Sequence, residues 1–284
     1  MPKFSFEETV KKIKSLEIQG AENIAIKAIE AFAQKLKETK SESKLKRYAN
    51  ELKSARPTEP GLQNALKYCL RANEKGKNET KFVLNHFRNN QKTIAKNGSA
   101  LIKSGMKIFT HCHSSTVERV LVEAKRQGKK IEVFNTETRP RFQGRKTAEA
   151  LAKAKIPVTH CVDSAGRSLL RKCDIFLIGC DSITKSGKVI NKIGTESLFD
   201  AANESGIPIY VCTNSWKFDL KETKIEERNP NEVWENPPKG VKIYNPAFEI
   251  VEAKKIKGIV TELGVIKPKK LYRTLRKKYP YIFK

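Results

Sequence analysis

The chain lacks the usual means of holding a zinc ion, crossing a membrane or forming a disulfide framework. Its six cysteines are Cys69, Cys112, Cys161, Cys173, Cys180 and Cys212, and no two form the Cys-x-x-Cys pair that a structural zinc site favours. Most lie inside apolar runs, where cysteine acts as a small buried hydrophobe. The length of the chain and a reducing compartment argue against disulfides. No apolar run approaches the roughly 18 residues that span a bilayer. The stretch Met1 to Glu8 has neither an apolar signal core nor a small-residue cleavage site. A cytosolic protein without membrane contact is expected. Acid is also scarce, with 31 Asp and Glu against 57 Lys and Arg and a net charge of +26. Lys267, Lys269, Lys270, Arg273, Arg276, Lys277, Lys278 and Lys284 follow one another with no acid between them. A field of that sign draws polyanions and steers phosphorylated substrates. Elsewhere most lysines alternate with Glu along helical stretches and read as solvated faces.

Strand-like alternation is missing before about residue 105, and neither an internal repeat nor a low-complexity tract is present. The periodicity predicts helices over Phe4–Leu16, Ala21–Leu36, Ser43–Leu52, Gly61–Ala72 and Lys81–Ile94. The third stops before Arg56-Pro57, because a residue preceding proline avoids the helical region. Beyond Asn97-Gly98-Ser99 the pattern changes. Short β-rich blocks at Lys107–His111, Lys130–Asn135, Val158–Val162, Ile175–Cys180, Ile207–Cys212 and Gly258–Thr261 alternate with helical segments at Thr116–Gln127, Gln143–Lys153 and Gly194–Asn203. That order predicts an α/β fold, a helical domain over 1–97 followed by a mostly parallel, doubly wound sheet domain over 98–284. Lys221 to Pro238 reads as a long connection, and Asn245-Pro246-Ala247-Phe248 as a turn before the last strand.

Chemistry-bearing residues gather at the ends of these strands. Ile175 to Ile178 delivers Asp181 through Gly179-Cys180, and Asn191-Lys192-Ile193-Gly194-Thr195 opens a helix. In open α/β sheets, ligands bind outside the carboxyl ends of the strands. A carboxylate, an amide, an ammonium and a helix start therefore converge where a small anion would sit. After the first strand comes Thr110-His111-Cys112-His113-Ser114-Ser115. Ser114 suits a helix cap or an anion donor. A thiol near a helix start between two imidazoles is expected to titrate low and to be reactive, though a buried strand-end cysteine beside a capping serine fits the same residues equally well. Cys112 and Asp181, at two strand ends of one sheet, would exchange protons across a cleft. A covalent nucleophile is the weaker reading of Cys112, because no acyl-transfer partner is evident. Arg139, held by Pro140 in Thr136–Gly144, suits a phosphate better than Arg141 or Arg145. Arg56, in Ser54–Pro60, belongs either to a lid or to a plain helix connection capped by Thr58. Lys217 is a candidate ligand ammonium between packing residues Trp216 and Phe218, and His86 and His160 read as structural.

Taken in order, these motifs resemble one superfamily, which contains the alpha, beta and delta subunits of translation initiation factor 2B, methylthioribose-1-phosphate isomerase and archaeal ribose-1,5-bisphosphate isomerase. The resemblance rests on Ile18–Ala21, Arg56-Pro57-Thr58, Thr110-His111-Cys112, Thr136–Gly144, Val162–Ala165, Gly179–Thr195, Lys217-Phe218, Asn245–Phe248 and Thr261–Ile266. It implies a helical domain on a Rossmann-like one. The isomerases of the group use a cysteine and an aspartate, here Cys112 and Asp181. The segments Thr136–Pro140 and Asn191–Thr195 look most like the ribose-1,5-bisphosphate branch. That resemblance implies conversion of ribose 1,5-bisphosphate to ribulose 1,5-bisphosphate in nucleoside monophosphate degradation. It implies that Gly20, Ala21, Arg56, Ser114, Arg139, Gln143, Asn191, Lys192 and Lys217 hold the phosphates and sugar hydroxyls. No metal or nucleotide cofactor is implied. Homodimers or hexamers are implied, and the initiation-factor branch implies contact with translation initiation factor 2 or RNA through the basic surface. Gln19 stands where the isomerases usually carry Arg, which removes a phosphate contact worth about 1.5–3 kcal/mol when buried. His113 stands where they commonly carry Asn.

Overall fold

The computed structural model describes all residues except 1–3, 16, 19, 221–224, 226 and 284. Five helices come first, α1 (Phe6–Lys14), α2 (Ala21–Glu38), α3 (Glu42–Ala55), α4 (Pro60–Asn73) and α5 (Thr80–Ser99). The first begins at a capping box, in which Ser5 accepts from the Glu8 N–H while the Glu8 side chain accepts from the Ser5 N–H. Each helix turns an apolar stripe inward; in α2 the stripe is Ile24, Ala28, Ile29, Phe32 and Leu36. The Leu16 end of the first expected helix and Gln19 lie outside the described residues.

The sheet half runs β1 (Lys107–Thr110), α6 (Ser115–Arg126), β2 (Glu132–Thr136), α7 (Gln143–Lys153), β3 (Val158–Cys161), α8 (Gly166–Leu170) and β4 (Ile175–Ile178). It continues through β5 (Ser182–Thr184), β6 (Val189–Lys192), α9 (Thr195–Glu204), β7 (Ile209–Cys212) and β8 (Phe218–Asp219). It ends with β9 (Phe248–Val251), β10 (Gly258–Thr261), β11 (Gly264–Ile266), α10 (Pro268–Lys278) and α11 (Pro280–Phe283). The main sheet has the order β11-β10-β7-β4-β1-β2-β3. Every pairing in it is parallel except β10 with β11. The expected α/β architecture is therefore present, with a helical amino-terminal region and a mostly parallel sheet. All four residues of β4 are buried, as a central strand covered on both faces requires. The connections run one way from β1 to β2 and β3, and the other way to β4, β7 and β10. The reversal between β1 and β4 opens the crevice in which doubly wound folds bind ligands.

Three features depart from the sequence expectations. Helix α5 extends through Asn97-Gly98-Ser99 instead of ending at Ile94. A Cβ on Gly98 would lie 2.6 Å from Val120 Cγ2 of α6, so this glycine permits a close helix crossing within an unbroken helix. A second sheet, ordered β8-β5-β6-β9, went unread. Its strands are two to four residues long and include polar positions such as Asn191 and Lys192, too short to show a period. The third is the start of α4, where Glu59 and not Thr58 occupies the N-cap position, without a side-chain capping bond.

Helix α4 docks on the segment after β7. Asn64 Nδ2 donates to the carbonyls of Trp216 and Phe218, each at 2.8 Å. Trp216 and Phe218 are fully buried packing residues, and Trp216 meets His86 with ring centroids 4.2 Å apart. His86 is held by Asn214 at 3.3 Å, and burial pushes its imidazole down to about 4, which suits a structural role. His160 Nδ1 meets Asn135 Oδ1 at 3.0 Å between neighbouring strands.

Candidate active site

Cys112 follows β1 and Asp181 follows β4, so the two stand on either side of the crevice. The backbone at Cys112 is left-handed, φ 65°, and so is that of Thr138, φ 62°. Such conformations cost energy for residues other than glycine and are held by their surroundings. Here the Cys112 N–H donates to Thr138 Oγ1 at 3.0 Å, and Thr147 Oγ1 donates to the Cys112 carbonyl at 3.0 Å. Thr138 is held in turn by Asp163, whose carboxylate accepts the N–H of Thr138 at 2.8 Å and of Arg139 at 2.7 Å. The loop after β2, braced by Asp163 from beyond β3, and Thr147 of α7 thus hold the backbone that carries the thiol.

The loops after β1 and β4 touch at Gly179. A Cβ there would collide with Ser114 Oγ, the hydroxyl that caps α6. Asp181 is linked to β6 by its N–H, which donates to the Ile190 carbonyl at 2.9 Å. Asn191 is buried in β6. With its amide turned to satisfy its neighbours, Nδ2 donates to the Gly179 carbonyl at 3.2 Å, and Oδ1 accepts from Thr195 Oγ1. Lys192 is buried, and its ammonium lies 4.6 Å from the Phe248 ring with no ion pair among the described residues. Lys217 Nζ donates to the Cys180 carbonyl at 2.7 Å. The turn that carries Lys217 is held from behind by Glu262, which accepts the Ser215 N–H at 3.1 Å and the Tyr279 hydroxyl at 3.1 Å.

The low thiol pKa expected of Cys112 is not found. Burial pushes the Cys112 thiol up to about 11; the Lys192 ammonium opposes this, while Asp181 and Asp163 add to it. The imidazoles that were to activate it are engaged elsewhere. His111 Nε2–H donates to the Ile193 carbonyl at 2.9 Å, and Nδ1 accepts from Thr136 Oγ1 at 2.5 Å. Burial lowers the pKa of both His111 and His113, and His113 Nδ1 meets Thr147 Oγ1 at 3.1 Å. Both rings are neutral near pH 7 and lend the thiol no positive charge.

Arg56 reaches this cluster from the loop between α3 and α4. Its guanidinium lies 3.7 Å from Glu59 Oε1, and the Glu59 carboxyl is within electrostatic reach of Asp181 and Lys217. Cys112, Ser114, Asp181, Asn191, Lys192, Lys217 and Arg56 therefore gather around one crevice. Gln143 opens α7 with its Oε1 buried and unpartnered among the described residues. Arg139 is turned away: its guanidinium is exposed, donates to the Val233 carbonyl at 3.2 Å and lies 5.0 Å from the Phe142 ring. Arg145 pairs with Glu137, and Arg141 with Glu232, each at 3.6 Å. Gly20, with φ 84°, and Ala21 open α2, which Glu22 ties to Arg119 of α6 at 3.3 Å. Sequence reasoning passed over Glu59, Thr147 and Asp163 as individual site residues. Asp163 had a signal, a carboxylate just past a strand end. Thr147 had none, being one polar residue inside a helix.

A doubly wound sheet with a thiol and a carboxylate at its switch point and a helical region at its mouth describes a Rossmann-like protein equipped for acid–base chemistry on an anion. The chain belongs to the initiation factor 2 subunit family, whose model matches residues 17–268. Among its relatives, the ribose 1,5-bisphosphate isomerase of Methanocaldococcus jannaschii is 40% identical over 98% of this chain and 96% of its own length. A crystal structure described as translation initiation factor eIF-2B of Pyrococcus horikoshii OT3 superposes with a TM-score of 0.81 at 30% identity, covering 93% of this chain and 97% of that one. The 5-methylthioribose 1-phosphate isomerase of the same organism superposes with a TM-score of 0.76 at 25% identity, over 97% and 88% of the two chains. The family and fold implied by the sequence resemblance are thus those of the chain.

Proposed function

We propose that the protein is an aldose–ketose isomerase converting ribose 1,5-bisphosphate to ribulose 1,5-bisphosphate in nucleoside monophosphate degradation. The observation that carries the reading is the placement of Cys112 and Asp181 beyond the two strands that flank the switch point, with the unpaired Lys192 ammonium beside the thiol. The 40% identical relative bears the same activity in its name. In this reading Asp181 hands a proton to the ring oxygen as the C1–O bond breaks and recovers one from the C2 hydroxyl. Cys112 moves the carbon-bound proton from C2 to C1 through an enediol-like intermediate. Arg56, Lys192 and Lys217 bring positive charge to the two phosphates. Ser114, Gln143, Asn191, Gly20 and Ala21 line the sugar, and Arg139 closes on a phosphate after leaving Val233. Residues 1–97 and 98–284, continuous through α5 and sharing one core, divide the work, the first bringing Arg56 to the acid–base pair of the second. A cytoplasmic homo-oligomer, dimer or hexamer, is the form expected in solution, measurable by light scattering.

The test is turnover of ribose 1,5-bisphosphate, with and without adenosine monophosphate. Cys112→Ser and Asp181→Asn are each expected to abolish it, and activity surviving both substitutions would remove the mechanism. Methylthioribose 1-phosphate offered to the same preparation separates the neighbouring isomerase. The basic face of α10 favours a second reading, a binding subunit acting on translation initiation factor 2 or RNA. Retention of that factor without sugar-phosphate turnover would select it.

A further inference from the structure

Glu59 is a buried carboxyl that the chemistry above leaves without a task. It is 8% exposed, and its Oε2 has no hydrogen-bond partner among the described residues. A buried, unpaired carboxyl oxygen is costly unless something completes it. The Nε of the neighbouring Arg56 is buried and unpartnered in the same way. Two orphaned polar atoms thus lie on adjoining side chains within electrostatic reach of Asp181 and Lys217. The charged groups that face Glu59 are Arg56 from its own loop, Lys217 from the turn after β7 and Asp181 from the end of β4. Its backbone is held, because the following helix is anchored by Asn64 to the Trp216–Phe218 segment and Gln63 Nε2 donates to the carbonyls of Lys53 at 3.0 Å and Arg56 at 3.3 Å.

We propose that Glu59, in its protonated form, is a phosphate-binding residue, whose Oε2–H donates to a phosphate oxygen held between Arg56 and Lys217. An ionised carboxylate beside Arg56 would neutralise that cation and repel a phosphate dianion. A neutral carboxyl leaves the guanidinium free and adds a donor. Burial, and after it the Asp181 charge, already raise the Glu59 carboxyl to about 7, and an arriving dianion adds to both effects. Binding above that pH therefore takes up one proton from solvent, which ends on Glu59.

This inference rests on the anion-binding part of the proposed function, and its test needs no turnover. Inorganic phosphate is titrated calorimetrically into the wild-type protein and Glu59→Gln at pH 6 and pH 8. The amide keeps the shape and a donor but cannot ionise. Wild-type affinity is expected to fall about tenfold relative to Glu59→Gln between the two pH values, since a group titrating near 7 is about one-tenth protonated at pH 8. The wild type alone should take up a proton at pH 8, read from the difference between buffers of unlike ionisation heat. An affinity ratio that does not change with pH would overturn the proposal. If the variant fails to fold, absence of proton uptake by the wild type at pH 8 overturns it equally. Phosphate binding with the expected pH dependence but no isomerisation would leave Glu59 in place and remove the isomerase reading instead.

Discussion

The raised Cys112 pKa changes what a rate profile should show. A thiol pushed up to about 11 is neutral at pH 7, so any step needing thiolate draws on a small fraction of the molecules. With Cys112 as the carbon base and Asp181 as the acid at the ring oxygen, the reactive form, thiolate beside protonated Asp181, holds as many protons as thiol beside carboxylate, so kcat is expected to stay flat from pH 6 to 9 while chemistry limits turnover. A kcat that rises tenfold per pH unit over that range would mean that Asp181 does not supply the ring-opening proton. Glu59 makes a separate prediction for stability. Its pKa is raised from 4.5 to about 7, so the folded state binds its proton more tightly than the unfolded state. The favourable contribution is complete below pH 4.5 and is lost as pH rises through about 7. Glu59→Gln should therefore gain on wild type by roughly 3 kcal/mol between pH 4.5 and pH 8. Denaturant unfolding at the two pH values measures this, and an equal gap at both would show that the carboxyl is not held as described.

At the scale of elements, the site depends on how closely two loops approach. Gly179 contributes no chemistry, yet its missing Cβ is what lets the loop after β4 rest on Ser114 at the start of α6. Gly179→Ala is expected to push Asp181 and Cys112 apart. A displacement of about 1 Å can cost on the order of a hundredfold in rate, whereas overpacking of this kind costs about 1–3 kcal/mol of stability. A large loss in kcat with a modest shift in Tm is the expected pair of readings; unchanged kcat would show that the loops have slack. Asn64→Ala tests the second joint. It leaves two buried carbonyls unpaired and should cost about 1–3 kcal/mol, with KM rising more than kcat falls, because Glu59 stands at the N-cap of α4 and the segment that α4 docks on carries Lys217. These elements were unequally legible. Helix α7 and strand β10 were read with the bounds they have, because their periods are long enough or their flanks abrupt enough. The second sheet was not, since three or four residues such as Val189–Lys192 contain too few repeats to define a face.

Across the whole molecule, one hydrophobic core joins the two halves. Phe6, Ile29 and Leu62 of the helical part belong to the same buried cluster as Phe109, Phe176 and Trp216 of the sheet part. A shared core of this kind should unfold in a single cooperative step, with calorimetric and van't Hoff enthalpies in agreement. Two resolved transitions would show that the halves are independent. The net charge of +26 acts at the same scale, raising the local concentration of a multiply charged sugar phosphate in a salt-dependent way. Among the described residues no helix is long and apolar enough to cross a membrane.

By itself the sequence determined the five amino-terminal helices, the alternation that builds the parallel sheet and the strand ends that carry Cys112 and Asp181. Those follow from period, turn residues and strand-end position, which are local properties of the chain. Only the tertiary structure decided the charge state of the thiol, the diversion of Arg139 and the place of Glu59. Each depends on what is packed against the group from distant parts of the chain: burial that outweighs the Lys192 ammonium beside the thiol, a carbonyl at Val233 that engages a guanidinium, and burial together with an aspartate 122 positions further along that raises a glutamate. Desolvation and electrostatics act across space, and spacing along the chain does not encode them.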